Sequence, residues 1–198
     1  EQGDGNLRLT LANFLGNAYG TPVSPQNLFI TNGISNALDL ICTLFTQAGD
    51  TIFVEEPSYF LALHIFIDHK LNIVSIDTDE DGLVIEALEA QLAKQSPKFL
   101  YIIPTFQNPS GLTLNQERRE RLITLAKKRD FMVVTDEVYH FLNYTQQPPQ
   151  TFAAYTDHPN VISLGSFSKI LAPGLRLGWV QAHSELILKF AGGGLVDS

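Results

Sequence analysis

The residues best suited to chemistry are two serines, a lysine and an arginine within residues 166–176. Ser166, Ser168 and Lys169 follow an apolar, strand-like run, and Arg176 comes after a Pro-Gly turn. A lysine just past a buried strand can be desolvated, which makes its amine nucleophilic. The hydroxyls and the forked charge of Arg176 can hold a phosphate. Together these groups suggest a lysine that forms a Schiff base with a phosphorylated aldehyde.

The same stretch also fits an exposed loop lysine near a structural arginine. A short motif does not decide between these two interpretations, because such matches are only hypotheses. The decision depends on whether other parts of the chain bring further polar groups to Lys169.

Length and composition indicate one globular domain. The 198 residues are 44% hydrophobic and 17% charged, which is enough for a sizeable core. The net charge of −8 argues against nucleic acid or an anionic membrane as the main partner. Cys42 is the only cysteine, so no internal disulfide can form and a reducing compartment, the cytoplasm, is expected. No apolar run of the sequence reaches the length of a membrane span.

Apolar, strand-like runs alternate with helical patterns along the chain. This alternation predicts a three-layer α/β/α fold with a mostly parallel, mixed sheet. The runs 161–164 and 177–182 are joined by about a dozen residues without a helix, so one of them is expected to be antiparallel. The opening pattern predicts a helix over residues 7–15 that ends at Gly16.

Polar residues follow four of the predicted strands directly. A parallel sheet binds ligands at the carboxyl ends of its strands, so these residues are expected to meet in one crevice. A glycine followed by a small polar residue and a helix also points backbone amides at an anion, as predicted around Gly33. The four groups are Gly33 with Ile34 and Ser35, Asn108, Asp136 with Tyr139, and Ser166 with Ser168 and Lys169.

Four motifs in register carry a family resemblance. They are Glu56-Pro57-Ser58-Tyr59, Asn108-Pro109-Ser110-Gly111, Asp136-Glu137-Val138-Tyr139 and the segment 166–178. In order and approximate spacing the sequence resembles the fold-type I pyridoxal-phosphate enzymes of the aspartate aminotransferase superfamily, class I/II. Within it, the sequence is most similar to the branch of the kynurenine and 2-aminoadipate aminotransferases. The resemblance covers essentially the whole chain.

The resemblance implies a role for each cofactor-facing residue. Lys169 holds pyridoxal phosphate as a Schiff base and then moves a proton at the substrate's α-carbon. Asp136 pairs with the pyridine nitrogen. Asn108 and Tyr139 hydrogen-bond the phenolic oxygen, and Tyr59 stacks on the ring.

The resemblance also implies a phosphate site. This branch often has serine then glutamine where the chain has Ile34 and Ser35, so Ile34 offers an amide but no hydroxyl. The expected phosphate ligands are the amides after Gly33 at Ile34 and Ser35, the hydroxyls of Ser166 and Ser168, and Arg176.

The resemblance further implies an aminotransferase that acts on an amino acid and a 2-oxo acid as a homodimer. In this family an arginine of a small C-terminal domain grips the substrate carboxylate, and an early tyrosine of the partner subunit reaches the phosphate. Neither segment is present in the sequence. Residues 1–198 are therefore expected to be the single large cofactor-binding domain, a fragment without the N-terminal arm and the small domain.

Two other functions stay open. A carbon–sulfur lyase uses the same scaffold, because the cofactor carries the chemistry. The sensor domain of a transcription regulator also has this fold, attached to a basic winged-helix domain, and nothing basic or helix-turn-helix-like occurs in these residues. No metal site is expected, since His64, His69, His140 and His158 lack metal-ligand spacing.

Overall fold

One mixed sheet of eight strands organises the computed structural model, which describes residues 1–144 and 147–193. The strands are β1 (Leu28–Thr31), β2 (Thr51–Glu56), β3 (Asn72–Asp79), β4 (Gly82–Leu83), β5 (Phe99–Ile102), β6 (Met132–Asp136), β7 (Val161–Ser166) and β8 (Gly178–Ala182). Their order across the sheet is β1-β8-β7-β6-β5-β2-β3-β4.

Strand direction follows the prediction. The neighbours β7, β6, β5, β2 and β3 pair in parallel, whereas β8 is antiparallel to both β7 and β1. The short connection before β8 is the physical reason, because a parallel crossover needs a longer excursion across the sheet. The expectation of one antiparallel strand in this pair is confirmed.

Helices cover both faces of the sheet. They are α1 (Gly5–Tyr19), α2 (Ile34–Phe45), α3 (Phe60–Asp68), α4 (Ile85–Leu92), α5 (Gln116–Arg129) and α6 (Ser184–Gly193). Side chains of α2, α3 and α6 pack in one apolar cluster, and those of α4 and α5 pack in another. The three-layer α/β/α prediction is confirmed. Over residues 1–144 and 147–193, no helix combines the length and the apolar character that crossing a membrane requires.

The alternation of side chains along a strand explains how two layers share one sheet. On β1 and β8, Phe29 and Val180 face the cluster of α2, while Leu28 and Trp179 pack with α1. Each strand thus contributes apolar residues in both directions, which is why the buried strands read as continuous apolar runs.

The predicted end of the first helix at Gly16 is wrong. Helix α1 continues to Tyr19 and ends at Gly20, whose φ of 69° is left-handed. A β-carbon at Gly16 would lie 3.3 Å from the carbonyl oxygen of Thr21. Gly16 therefore allows the chain that leaves the helix to pass close to it.

Candidate active site

A cavity of about 170 Å³ lies at the carboxyl edge of the parallel strands. Ten of the eleven residues expected from the sequence line it, and these are Ile34, Ser35, Tyr59, Asn108, Asp136, Tyr139, Ser166, Ser168, Lys169 and Arg176. Asp136 and Ser166 are the last residues of β6 and β7, and the others lie in the segments that follow β1, β2, β5, β6 and β7. The crevice expected at the strand ends is present, because parallel strands bring these segments to one edge.

Gly33, the eleventh residue, is adjacent to the lining residue Ile34 but does not itself line the cavity. It precedes the first residue of α2 and has a φ of 86°, which a side chain rarely adopts. A β-carbon at this position would lie 2.7 Å from Nη2 of Arg176. Gly33 thus gives room to the arginine side chain.

The start of α2 forms a positive corner of the cavity. The first N–H groups of a helix have no partner within the helix, and they carry the positive end of its dipole. No acidic residue occupies the first turn of α2. The amides of Ile34 and Ser35 are therefore suited to an anion.

Arg176 adds a full positive charge to this corner. Its backbone is left-handed, with φ 49° and ψ 40°, and its Nη2 donates a hydrogen bond to the carbonyl of Asn32 at 3.2 Å. Among the residues that the structure describes, its guanidinium has no carboxylate partner. The bond to Asn32 holds the side chain beside α2 and leaves its charge available.

Ser166 and Ser168 have different surroundings. The buried Ser166 hydroxyl accepts a hydrogen bond from the amide of Ser168 at 3.1 Å and lies 3.2 Å from the carbonyl of Leu177. It therefore fixes the turn that follows β7. The Ser168 hydroxyl is half-buried and lies 2.9 Å from that of Ser166, so it is the better placed of the two for a ligand.

Lys169 is exposed, so the expected desolvation of its side chain is wrong for this structure. It lies just past β7, as expected, but the turn that carries it leaves its side chain uncovered. Within the described parts of the chain, its amine has no salt-bridge partner. Lys169 is nevertheless one of the residues that line the cavity.

Asp136 is the buried carboxylate of the cavity, at 3% exposure. The amide of Val138 donates to Oδ1 at 3.2 Å, and the hydroxyl of Tyr101 donates to Oδ2 at 3.1 Å. Burial raises the pKa of Asp136 to about 6, and the two hydrogen bonds oppose that rise. Asp136 is therefore ionised at neutral pH and faces the cavity.

Asn108, Tyr139 and Tyr59 form the remaining polar wall. The amide nitrogen of Asn108 donates to the Tyr139 hydroxyl at 3.4 Å. Burial is the main cause that raises the pKa of Tyr59, and the neighbouring Tyr139 and Asp136 raise it further. Three loops thus bring these groups within electrostatic reach of one another.

Sequence reasoning missed three polar residues behind this wall. Gln107 joins two loops, because its Nε2 donates to the carbonyl of Pro57 at 2.6 Å and its Oε1 accepts from the amide of Ser110 at 2.8 Å. Buried Glu55 accepts from the amide of Ile103 at 2.8 Å. The third is Tyr101. The sequence signal that could have indicated them is a polar side chain within or at the end of a continuous apolar run.

Comparison with known proteins decides the family. The model of aminotransferase class I and II matches residues 2–192. The chain belongs to this family. The resemblance drawn from the four motifs is confirmed at this level.

This aminotransferase-family chain is similar to proteins of two kinds. It is 42% identical over 188 residues to aromatic-amino-acid aminotransferase 1 of Thermococcus litoralis, which covers 92% of this chain and 45% of the relative. It is 32% identical over 169 residues to the uncharacterized HTH-type transcriptional regulator YisV of Bacillus subtilis, covering 85% of this chain and 35% of the regulator.

A solved structure has the same fold. The Pyrococcus horikoshii kynurenine aminotransferase, in complex with PMP, matches with a TM-score of 0.89 and 40% identity. The match covers 96% of this chain and 48% of that chain. The family member described here spans about half the length of the aminotransferases that it matches.

Proposed function

We propose that this chain binds pyridoxal phosphate through Lys169 and belongs to an enzyme that transfers an amino group from an amino acid to a 2-oxo acid. The observation that carries the proposal is one cavity that combines a free lysine amine, a buried carboxylate and an anion corner. Lys169, Asp136 and Arg176 supply these three features from separate parts of the chain. The family match supports the same reaction class.

The donor set fits the cofactor group by group. The amides at the start of α2 and the charge of Arg176 suit a phosphate dianion. The ionised, buried Asp136 suits a protonated ring nitrogen, and the free amine of Lys169 suits an aldehyde. When bound, pyridoxal phosphate supplies that aldehyde and an electron-withdrawing ring.

The chain's own residues then perform binding, orientation and proton transfer. Lys169, exposed to the cavity, is the group that takes and returns a proton at the substrate's α-carbon. Asp136 would keep a proton on the ring nitrogen, and Asn108 and Tyr139 would donate hydrogen bonds to the phenolic oxygen. Tyr59 would pack against the ring.

The wider setting is part of the same proposal. An aminotransferase of this kind acts as a homodimer with small-molecule substrates and without nucleic acid or membrane partners. The lone buried Cys42 supports a reducing compartment, the cytoplasm.

Addition of pyridoxal phosphate with absorbance spectroscopy tests the cofactor assignment. Borohydride reduction followed by peptide mapping is expected to place the cofactor on Lys169. Lys169→Ala should lose the adduct, and Lys94→Ala, a change on an exposed lysine far from the cavity, should retain it. An adduct on the same peptide in Lys169→Ala would show that the assignment is wrong.

A regulator is the second candidate, because a transcription regulator covers 85% of this chain at 32% identity. A screen of amino donors on the full-length protein separates the candidates. An aminotransferase converts its cofactor to the amine form with a donor and back with a 2-oxo acid. A lyase instead releases a thiol and ammonia, and a regulator binds without sustained turnover.

A further inference from the structure

We propose that Tyr101 is a positioning residue, whose buried hydroxyl holds the Asp136 carboxylate ionised and in one orientation towards the cavity. The importance of this contact for catalysis rests on the proposed function, whereas the contact itself does not. Tyr101 lines no part of the cavity, and it acts only through Asp136.

Sheet register brings the two residues together. Tyr101 of β5 pairs with Val134 of β6 in the parallel ladder. Asp136 lies two residues further along β6, so its side chain is on the same face as that of Val134 and diagonal to Tyr101. A tyrosine is long enough to span that diagonal, and its hydroxyl donates to Oδ2 at 3.1 Å.

The Tyr101 ring is fixed before it meets the carboxylate. Tyr101 is fully buried, at 0% exposure. Its ring packs edge-to-face on that of Phe66 in α3, with centroids 5.4 Å apart and planes at 72°. This packing fixes the position of the Tyr101 hydroxyl. A fixed hydroxyl in turn restricts the orientation of the Asp136 carboxylate that accepts its hydrogen bond.

Asp136 has a separate donor on each carboxylate oxygen. The amide of Val138 donates to Oδ1, and Tyr101 donates to Oδ2. Rotation of this buried carboxylate would break both bonds, and each lost bond to a charged group is costly. Within the described residues, Tyr101 is the only side chain that hydrogen-bonds this carboxylate.

Several charged or titratable groups act on Asp136 from the surrounding elements. Burial is the largest influence and raises the pKa of Asp136, and the charge of Glu137 raises it further. The bonds from Val138 and Tyr101, and the charge of Lys169, lower it. The charge of Asp136 in turn raises the pKa of Glu55 in β2 and of Tyr59 in the loop after β2.

The chemistry of the donor explains why a tyrosine suits this position. A lysine or arginine here would place a full positive charge beside Asp136 and oppose a second cation at the ring nitrogen. A phenol stabilises the charged carboxylate without neutralising it. Burial and the nearby charge of Asp136 hold the pKa of Tyr101 well above its ordinary value, so the donor stays protonated.

The deciding experiment is a carboxyl titration of the full-length protein without cofactor. Carbon-13 NMR of labelled aspartate follows Asp136, whose signal is assigned by its loss in Asp136→Asn. Tyr101→Phe removes only the hydroxyl and is expected to raise the pKa of Asp136 by about one pH unit. Tyr155→Phe is the matched control, because it removes a tyrosine hydroxyl that contacts Gln116 far from the site.

A second variant guards against misfolding of Tyr101→Phe. A fluorinated tyrosine at position 101 keeps the ring and the hydroxyl but makes the hydroxyl a stronger donor, so the pKa of Asp136 should fall. An unchanged titration in both variants, or an equal shift in Tyr155→Phe, would overturn the proposal. This measurement needs no cofactor, so a failure of pyridoxal phosphate to bind would refute the proposed function and leave the test of Tyr101 intact.

Discussion

Gly33 and Arg176 are in direct contact, and the contact has no space for a side chain. A β-carbon on Gly33 would lie 2.7 Å from Nη2 and 3.3 Å from Cζ of Arg176. The backbone of Gly33 is also left-handed, so a substitution there is strained as well as crowded. The position of the arginine beside α2 thus depends on the absence of atoms at residue 33.

Gly33→Ala is therefore expected to weaken pyridoxal phosphate binding without unfolding the protein. The displaced arginine should raise the dissociation constant about 10-fold or more, since losing a hydrogen bond to a charged group costs about 1.5–3 kcal/mol. Titration of the cofactor by absorbance measures the change. Gly5→Ala is the control, because nothing lies within 4 Å of a β-carbon there. If Gly33→Ala bound the cofactor with wild-type affinity, Arg176 would not be a phosphate ligand.

Asp136→Asn should affect turnover far more than cofactor binding. The amide keeps the shape of the side chain but cannot hold a proton on the ring nitrogen. We expect a loss of about 100-fold or more in kcat and a change below about 10-fold in the cofactor dissociation constant. Steady-state kinetics and cofactor titration give the two values. Equal losses in both would make Asp136 a structural residue, and exposed Asp157→Asn should change neither.

Glu55 is expected to make stability depend on pH. Burial raises its pKa from 4.5 to about 8. Between these values the folded protein keeps a proton that the unfolded chain has released, so stability falls as pH rises, by about 1.4 kcal/mol per pH unit at most. Glu55→Gln removes this titration and should be progressively more stable than the wild type as the pH approaches 8.

Urea unfolding of the cofactor-free protein from about pH 5 to about pH 8 measures this difference. Glu56→Gln is the matched control, because Glu56 is the next residue of β2 and is exposed. It should follow the wild-type profile. A constant difference between Glu55→Gln and the wild type across this range would contradict the assignment.

Arg119 is expected to be essential for stability although it is far from the chemistry. It is fully buried and donates to the carbonyls of Leu114, Pro104 and Gln150 without a carboxylate partner in the described residues. Lysine cannot reproduce this fork of donors, so Arg119→Lys should lower the free energy of unfolding by about 3 kcal/mol.

Urea denaturation again gives the value, with Arg121→Lys as the control. Arg121 lies two residues away on the same helix and forms an exposed ion pair with Glu86. Such pairs contribute little, so this variant should change stability by less than about 1 kcal/mol. A similar loss of unfolding free energy in both variants would mean that the buried hydrogen bonds of the Arg119 guanidinium are not the source of the stability.

The sequence predicted the parts of this protein that depend on local pattern. Continuous apolar runs indicated the buried strands, and the residues that follow them indicated the crevice. The sequence could not show that Gly16 lies inside the first helix. Its reason is the chain at Thr21, which returns close to the helix at this point. The exposure of Lys169 was equally hidden, since it depends on how the turn after β7 is placed.

Tyr101 shows why the layer behind a site escapes sequence reasoning. In an apolar run, the apolar ring alone explains why a tyrosine is present. No neighbouring residue in the sequence indicates a partner for its hydroxyl. The partner is determined by the pairing of β5 with β6 in one register. A shift by one residue would have turned the hydroxyl away from Asp136.

The strand order has a consequence for the assembly of the molecule itself. Within the described residues, β1 pairs with β8 alone, and the bond from Arg176 to Asn32 joins residues 144 apart in the chain. The anion corner therefore forms only when these two distant segments have come together, which has a high loop-closure entropy. A phosphate ligand selectively stabilises molecules that have finished folding. Binding at this corner would therefore report that β1 and β8 have paired.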